Sequence, residues 1–544
     1  MRHLALLTVF LLLVGRVNAQ STAQAGPERP ALVIGLVVDQ MRWDYLYRYQ
    51  DRYTQGGFRR LLREGFSCEN TFIPFVPTYT APGHACIYTG SVPALNGIIG
   101  NHWFDPAAGR TVYCTDDSMS HSVGSDSKAG RMSPRNMWTN TITDELRLAT
   151  NFRSKTIALA LKDRGAILPG GHTANAAIWF DNHTGGWISS SWYGRELPRW
   201  VRDLNALRRP DSFLKRNWNT LFPGDSYRQS TEDGKPYESR LPGGGKTFLH
   251  RTDTISGHSR YEAFRHTPHA NTYTLETAIA AVKGEALGHR GTTDFLAISL
   301  SSTDYIGHTF GPNSMEMEDT YLRLDRDLDR FLAFLDRQVG KGRYLLFLTA
   351  DHGAAHVTGF AQENRLPAGR LSDDSIFLQL NRMLDRQFGI RKGIRSVINY
   401  QVHLDEAALQ AAGANRTAVK NRIIQELLQQ PGISRALDLE QFQTPLPEPL
   451  RTMLINGYNQ KLSGSIQFLY HPQWIDWGGN TGTTHGSWSP YDSHIPLLWF
   501  GWKQRPGRLV REVLMSDIAP TLAALLRIQM PNGATGKPIP EVVR

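Results

Sequence analysis

Ala31-Leu32-Val33-Ile34-Gly35-Leu36-Val37-Val38-Asp39 is an unbroken apolar run, rich in β-branched residues, that ends on a carboxylate. A strand with no polar side is buried on both faces, as the central strands of parallel α/β sheets are. In open sheets of that kind ligands bind beyond the C-terminal ends of the strands, so Asp39 stands where a site is expected. Three later runs repeat the pattern. Lys155–Leu161 leads into Lys162-Asp163-Arg164, Thr293–Leu300 into Asp304 and His308, and Arg343–Thr349 into Asp351-His352-Gly353. Helical periodicity at 58–63, 138–149, 272–285 and from 314 to 339 separates these runs. Ile495–Phe500 reads as a closing strand, 516–526 as a terminal helix, and 176–181 with 186–190 as a hairpin. The alternation predicts an α/β fold: a central, mostly parallel sheet with helices on both faces.

Composition agrees with a folded globule. Of 544 residues 40% are hydrophobic and 20% charged, which excludes a disordered chain. Arg2 and His3, the apolar stretch 4–14 and Val17-Asn18-Ala19 read as a secretory signal cleaved after Ala19, followed by a polar tail over 20–30. The stretch is too short to span a bilayer, so the mature chain is expected to be exported, periplasmic or secreted, and free of the membrane. The catalytic domain is expected over 31–530. Polar or irregular insertions fall at 102–135, 200–268 and 366–478, the last carrying helices at 406–412 and 418–428, and a C-terminal tail at 531–544. The formal charge is +10, yet the basic residues are scattered without a dense run, so nucleic acid is not the expected primary partner. Cys68, Cys86 and Cys114 fit no metal or nucleophile pattern and read as one bridge or as buried thiols, with Cys86 facing the core.

The chemistry gathers around Pro77-Thr78-Tyr79-Thr80-Ala81-Pro82-Gly83-His84. Thr80 falls at or beside a helix N-cap, with Pro82 tolerated in the first turn and free backbone N–H groups forming an anion site. An isolated threonine there is most often only a cap. Its company argues for more: Asp39, Asp304, His308, Asp351, His352 and His485 each follow a core strand or a Gly-rich turn. These are carboxylate and imidazole ligands in a number that suits two zinc ions with open coordination positions. Asp304 and His308 lie four apart, one helical turn. In an extended chain Lys162 and Arg164 project from one face, with Asp163 on the other.

On these motifs, which run from Asp39 to His485, the chain resembles the alkaline phosphatase superfamily. Within it the chain is similar to the phosphate-irrepressible, PafA-type periplasmic phosphate monoesterases that use a threonine nucleophile. The resemblance implies an alkaline-phosphatase-like sheet with inserted cap segments, and two Zn²⁺ ions. One would be held by Asp304, His308 and His485, the other by Asp39, Asp351 and His352, with the Thr80 oxygen bridging toward the second. It implies attack by Thr80 on a phosphate monoester, a covalent phosphothreonine, and its hydrolysis to alcohol and inorganic phosphate. Asn101, Lys162 and Arg164 are implied as partners of the non-bridging oxygens. The Lys-x-Arg pair favours a monoester dianion over a diester, while a phosphodiesterase or nucleotide pyrophosphatase on the same fold is the alternative. Sulfatase is disfavoured, since the Cys/Ser-x-Pro-x-Arg context is absent around Thr80. A binding protein with a dead metal site is the competing class. The partners expected are small phosphate monoesters, and the chain is expected to act as a monomer. His84, His102, His172, His356 and His494 are read as structural or orienting histidines.

Overall fold

Leu32–Val38, fully buried along its length, forms β1 in the middle of an eleven-stranded sheet. The computed structural model describes residues 28–257, 259–441 and 446–544, so the expected signal segment lies outside the described residues. The remaining principal strands are β2 (Phe66–Phe72), β3 (Thr156–Ala160), β4 (Ala176–Asp181), β5 (Gly186–Ser190), β6 (Asp294–Leu300), β7 (Tyr344–Thr349), β8 (Leu497–Gly501) and β9 (Gly507–Leu514). Across the sheet the order is β2, β8, β7, β1, β6, β3, β4, β5, with β9 beside β2. The block from β7 to β4 is parallel, and β8 and β5 close it on either side as antiparallel strands. Register pairs Val37 with Thr349, Val38 with Leu300 and Ala160 with Ser299. The loops carrying Asp39, Lys162, Asp304 and Asp351 therefore leave from one edge.

The helices that serve this edge are α1 (Thr80–Thr89), α2 (Asp163–Gly170), α3 (Ser259–Arg265), α4 (Pro268–Gly284), α5 (Ser302–Phe310) and α6 (Met315–Leu335). Every residue of α1 is buried, and Gly90 ends it in the left-handed region at φ 64°. A helix so enclosed needs a place for its backbone to touch the sheet. Gly83 provides it, since a Cβ there would lie 2.5 Å from the Asp351 carbonyl oxygen.

The expected helix over 138–149 begins later, at Ile142. Thr141 accepts from the Asp144 N–H and Asp144 accepts from the Thr141 N–H, a reciprocal cap that fixes the start. Within 102–135 the chain forms a hairpin, His102–Asp105 against Arg110–Tyr113. The segment 200–268 joins the main core through Phe213, Trp218 and Phe264. By contrast 366–478 builds a four-stranded sheet of its own, with a separate core that includes Leu380, Val402, Ile423 and Phe468. Ile539 and Val542, near the C-terminus, are buried in the main core. Cys68, Cys86 and Cys114 are buried free thiols, so of the two readings open to the sequence the unbridged one holds. No helix among the described residues is long and apolar enough to cross a membrane.

Gly35 shows how closely β1 is covered: a Cβ there would meet the Tyr88 hydroxyl and lie 2.6 Å from Phe347 Cζ. Gly35→Ala is expected to destabilise the chain by about 1–3 kcal/mol, the usual cost of overpacking, as measured by denaturant unfolding.

Candidate active site

Beyond the C-terminal edge of β1, β3, β6 and β7 the structure brings the candidate residues together. Asp39 follows β1 directly, Asp304 and His308 lie on α5, and Asp351 and His352 follow β7. His485 arrives from the loop ahead of β8, held by its Nδ1 at 2.7 Å from the Thr78 carbonyl. The other two imidazoles are oriented likewise, His308 Nδ1 at 2.8 Å from Thr483 O and His352 Nδ1 at 3.0 Å from Gly353 O. All three Nε2 atoms therefore turn toward the carboxylates. His308 Nε2 lies 3.2 Å from Asp304 Oδ1, His485 Nε2 3.7 Å from the same oxygen, and His352 Nε2 3.5 Å from Asp351 Oδ2 and 3.6 Å from Asp39 Oδ1.

Two compact groups have ligand atoms spaced for a metal ion: Asp304, His352 and His485, and Asp39, Asp351 and His352. The second is the set expected from the resemblance. The first takes His352 where His308 was expected, because the His352 ring stacks on that of His485 at 3.5 Å and so stands between the groups. His308 nevertheless keeps its contact with Asp304 and stacks against Trp477 at 5.9 Å, 4° from parallel. Asp39 Oδ1 and Asp351 Oδ2 are buried with no hydrogen-bond partner. Orphaned buried carboxylate oxygens facing neutral imidazoles are the donors a divalent cation satisfies, and a His/carboxylate set suits zinc.

Thr80 is the first residue of α1, not its cap. Tyr79 holds the cap position and makes no side-chain cap bond. Freed from that task, Thr80 Oγ1 lies 3.3 Å from His352 Nε2 and is almost wholly buried. The Ala81 N–H, expected to be open to an anion, instead donates to Asn101 Oδ1 at 2.9 Å. This fixes Asn101 beside the threonine, with its amide nitrogen as the remaining donor.

Lys162 and Arg164 do not project from an extended strand end. Lys162 is extended and sits at the N-cap of α2, and Arg164 lies in the first helical turn. The helix begins at Asp163, whose carboxylate takes the Arg164 N–H at 2.8 Å and the Tyr113 hydroxyl at 2.5 Å. Arg164 Nη1 in turn donates to Tyr113 Oη at 3.1 Å. The Lys162 ammonium donates to Asp39 Oδ2 at 2.7 Å and to Asp304 Oδ2 at 2.6 Å.

Electrostatics follow from burial and from this cation. Burial, with Asp304 and Asp351 nearby, pushes the Asp39 carboxyl well above its usual range. Burial opposes ionisation of Asp304 too, but Lys162 and His308 outweigh it and hold that carboxyl well below the usual range. Burial would lower Lys162, yet Asp304 and Asp39 carry it up to about 12, so it stays charged. Burial keeps His352 and His485 below the usual imidazole value, in the neutral form that ligates metal.

Residues the sequence did not single out complete the site. Gln40, left-handed at φ 64°, donates its N–H to Asp351 at 3.1 Å and its amide to Asp304 at 3.0 Å. Its only signal was its place directly after Asp39. His84, expected to orient and not to ligate, has Nδ1 2.9 Å from Thr80 O and 3.3 Å from Asp351 Oδ2, and Nε2 2.9 Å from Ser299 Oγ. Of the other histidines read as structural, His172 meets Asp144, His356 meets Asn313 and His494 meets the Glu69 carbonyl.

A parallel sheet carrying this constellation at its C-terminal edge defines a class. The chain belongs to the type I phosphodiesterase / nucleotide pyrophosphatase family, whose profile matches residues 33–488, within the alkaline phosphatase superfamily. Among its relatives it is 50% identical over 517 residues to "Alkaline phosphatase PhoV" of Synechococcus elongatus, covering 95% of this chain and 93% of that one. It is 46% identical over 536 residues to "Alkaline phosphatase PafA" of Elizabethkingia meningoseptica, covering 98% of each. A Myroides odoratus relative, 49% identical over 521 residues and covering 95% of each chain, bears the name "Calcium-transporting ATPase". The crystal structure of wild-type PafA superposes with a TM-score of 0.92 at 46% identity, covering 95% of this chain and 99% of that one.

His84→Ala removes the ring that links the Thr80 carbonyl to Ser299 and lies 3.3 Å from Asp351 Oδ2, without touching the other carboxylates. Metal affinity is expected to fall roughly 10–100-fold, as for other lost orienting partners, in a competition titration against a chelator.

Proposed function

We infer that this chain hydrolyses phosphate monoesters to an alcohol and inorganic phosphate, as an alkaline phosphatase does. Relatives named alkaline phosphatase match it over nearly their whole length. The observation that carries the reading in the site itself is the pairing of a buried, uncapped Thr80 hydroxyl with the Lys162 and Arg164 cations at the same sheet edge.

Thr80 is proposed as the nucleophile. Its oxygen attacks phosphorus in line, the P–O bond to the alcohol breaks, and a phosphothreonine forms; water then cleaves that ester and releases phosphate. Asn101, through its amide, and Lys162 and Arg164, through their charges, are proposed to hold the non-bridging oxygens, where negative charge resides throughout a loose transfer. A monoester dianion brings one charge more than a diester, and two cations favour it. Asp39, Asp351 and His352 are proposed to hold one zinc ion, and Asp304, His308 and His485 the other, with His352 close enough to both to report on each. Two zinc ions bound there would favour the Thr80 alkoxide and neutralise charge on the attacking and leaving oxygens. We further propose that the chain is exported by its N-terminal signal, cleaved after Ala19, and acts as a monomer on small soluble substrates.

A phosphodiesterase is the second reading, favoured by the family to which the chain belongs. Side-by-side rates on an aryl monoester and the matching diester decide between them, with faster diester turnover overturning the first. Lys162→Ala with Arg164→Ala is expected to lower monoester kcat/KM by roughly 10²–10³-fold, the range for lost preorganised donors, and diester kcat/KM far less. Thr80→Ala is expected to abolish the phosphoenzyme trapped by acid quench from a ³²P-labelled monoester; a label that persists would remove Thr80 from the chemistry.

A further inference from the structure

Tyr305 follows Asp304 on α5, and its ring lies between Lys162 and the segment 200–268. Lys162 Nζ stands 5.2 Å from the ring centroid. Arg265, the last residue of α3, places its Cζ 4.7 Å from the same centroid and donates Nη1 to Tyr305 Oη at 2.8 Å. The His266 ring lies 5.0 Å away at 43°. Arg265 is itself fixed by an ion pair to Glu262, one turn earlier on α3. Glu262 accepts from Asn182 Nδ2 at 2.6 Å, in the turn between β4 and β5. A continuous set of contacts thus runs from the sheet edge through Glu262, Arg265 and Tyr305 to Lys162.

Lys162 needs such support. Its ammonium hangs on a flexible four-carbon stem, and a point charge has no fork geometry to hold it in place. Asp39 and Asp304 fix two of its donors, leaving one N–H for substrate, and its direction depends on what lies on the remaining side. A desolvated ammonium is drawn to the face of an aromatic ring, and this ring cannot swing away while Arg265 grips its hydroxyl. The alternative, a ring that merely fills space, gives no reason for a half-buried arginine to be committed to its hydroxyl.

We propose that Tyr305, clamped by Arg265, is a positioning residue for Lys162, so that the segment 200–268 takes part in selecting monoesters. The proposal rests on the reading of Lys162 as a partner of the monoester phosphoryl group.

A double-mutant cycle on the metal-loaded full chain tests it, with an aryl monoester and the matching diester as probes. Tyr305→Leu is expected to lower monoester kcat/KM about tenfold and diester kcat/KM less than about twofold, the loss disappearing in a Lys162→Ala background. Tyr305→Phe, which keeps the ring, and Arg265→Met, which releases the clamp, are expected to give smaller losses of the same monoester-selective kind. Equal losses on both substrates, or full additivity with Lys162→Ala, would overturn the proposal. Should Tyr305→Leu unfold, as judged by its melting curve, Tyr305→Phe and Arg265→Met decide by the same criteria. If Lys162→Ala itself shows no preference for the monoester, the function reading fails first, an outcome separate from failure of the clamp.

Discussion

Three carboxylates, Asp39, Asp304 and Asp351, are pressed together out of water at one edge of the sheet, and their mutual repulsion is the constraint the site is built around. Burying a charge without a partner costs far more than a surface ion pair returns, so positive charge has to be delivered to that point. Lys162 supplies part of it through two short bonds. Asp39 Oδ1 and Asp351 Oδ2 are left without hydrogen-bond partners, and their donor character asks for more positive charge than one ammonium provides. The neighbouring order of β1, β6 and β3 is what brings Lys162 and the carboxylates to one place.

How much of this the sequence could carry depended on the range of the interactions involved. β1, β3, β6 and β7 were legible because strands buried on both faces announce themselves as apolar runs, and the candidate residues the structure gathers were legible because all but His485 follow such a run. Local competition hid other features. The Lys-x-Arg pair was read as alternating side chains, but a helix starts at Asp163 and changes the geometry between the two cations. A reciprocal cap at Thr141 displaced the start of another helix by four positions from its apolar beginning at Trp138. Thr80 could be placed at or beside a cap but not assigned to one position, because residue type cannot show that the extended residue ahead of the helix is Tyr79. The sharing of His352 between two groups was out of reach, since it depends on a ring stack with a residue far along the chain.

The inserted segments were least legible, and for a physical reason. The sheet within 366–478 pairs Gln401–Leu404 with Ile466–Tyr470, partners too far apart for any local pattern to announce. Its core is separate from the main one, yet Tyr400 within it packs on Tyr79 at 6.2 Å, beside the nucleophile candidate. The segment 200–268, with no strong periodicity, shares the main core and reaches the site through Arg265. Both insertions therefore brace the catalytic edge from outside the sheet.

His485 is held in the site by its bond to Thr78, across most of the length of the chain, and by its stack on His352. Contacts so distant in sequence close late, because a long loop has to be drawn in before they form. Asp39 and His485 bracket most of the described residues, so a product truncated before His485 holds the early members of the candidate set without the last one. Such a chain would collect carboxylates and a lysine but no finished catalytic centre.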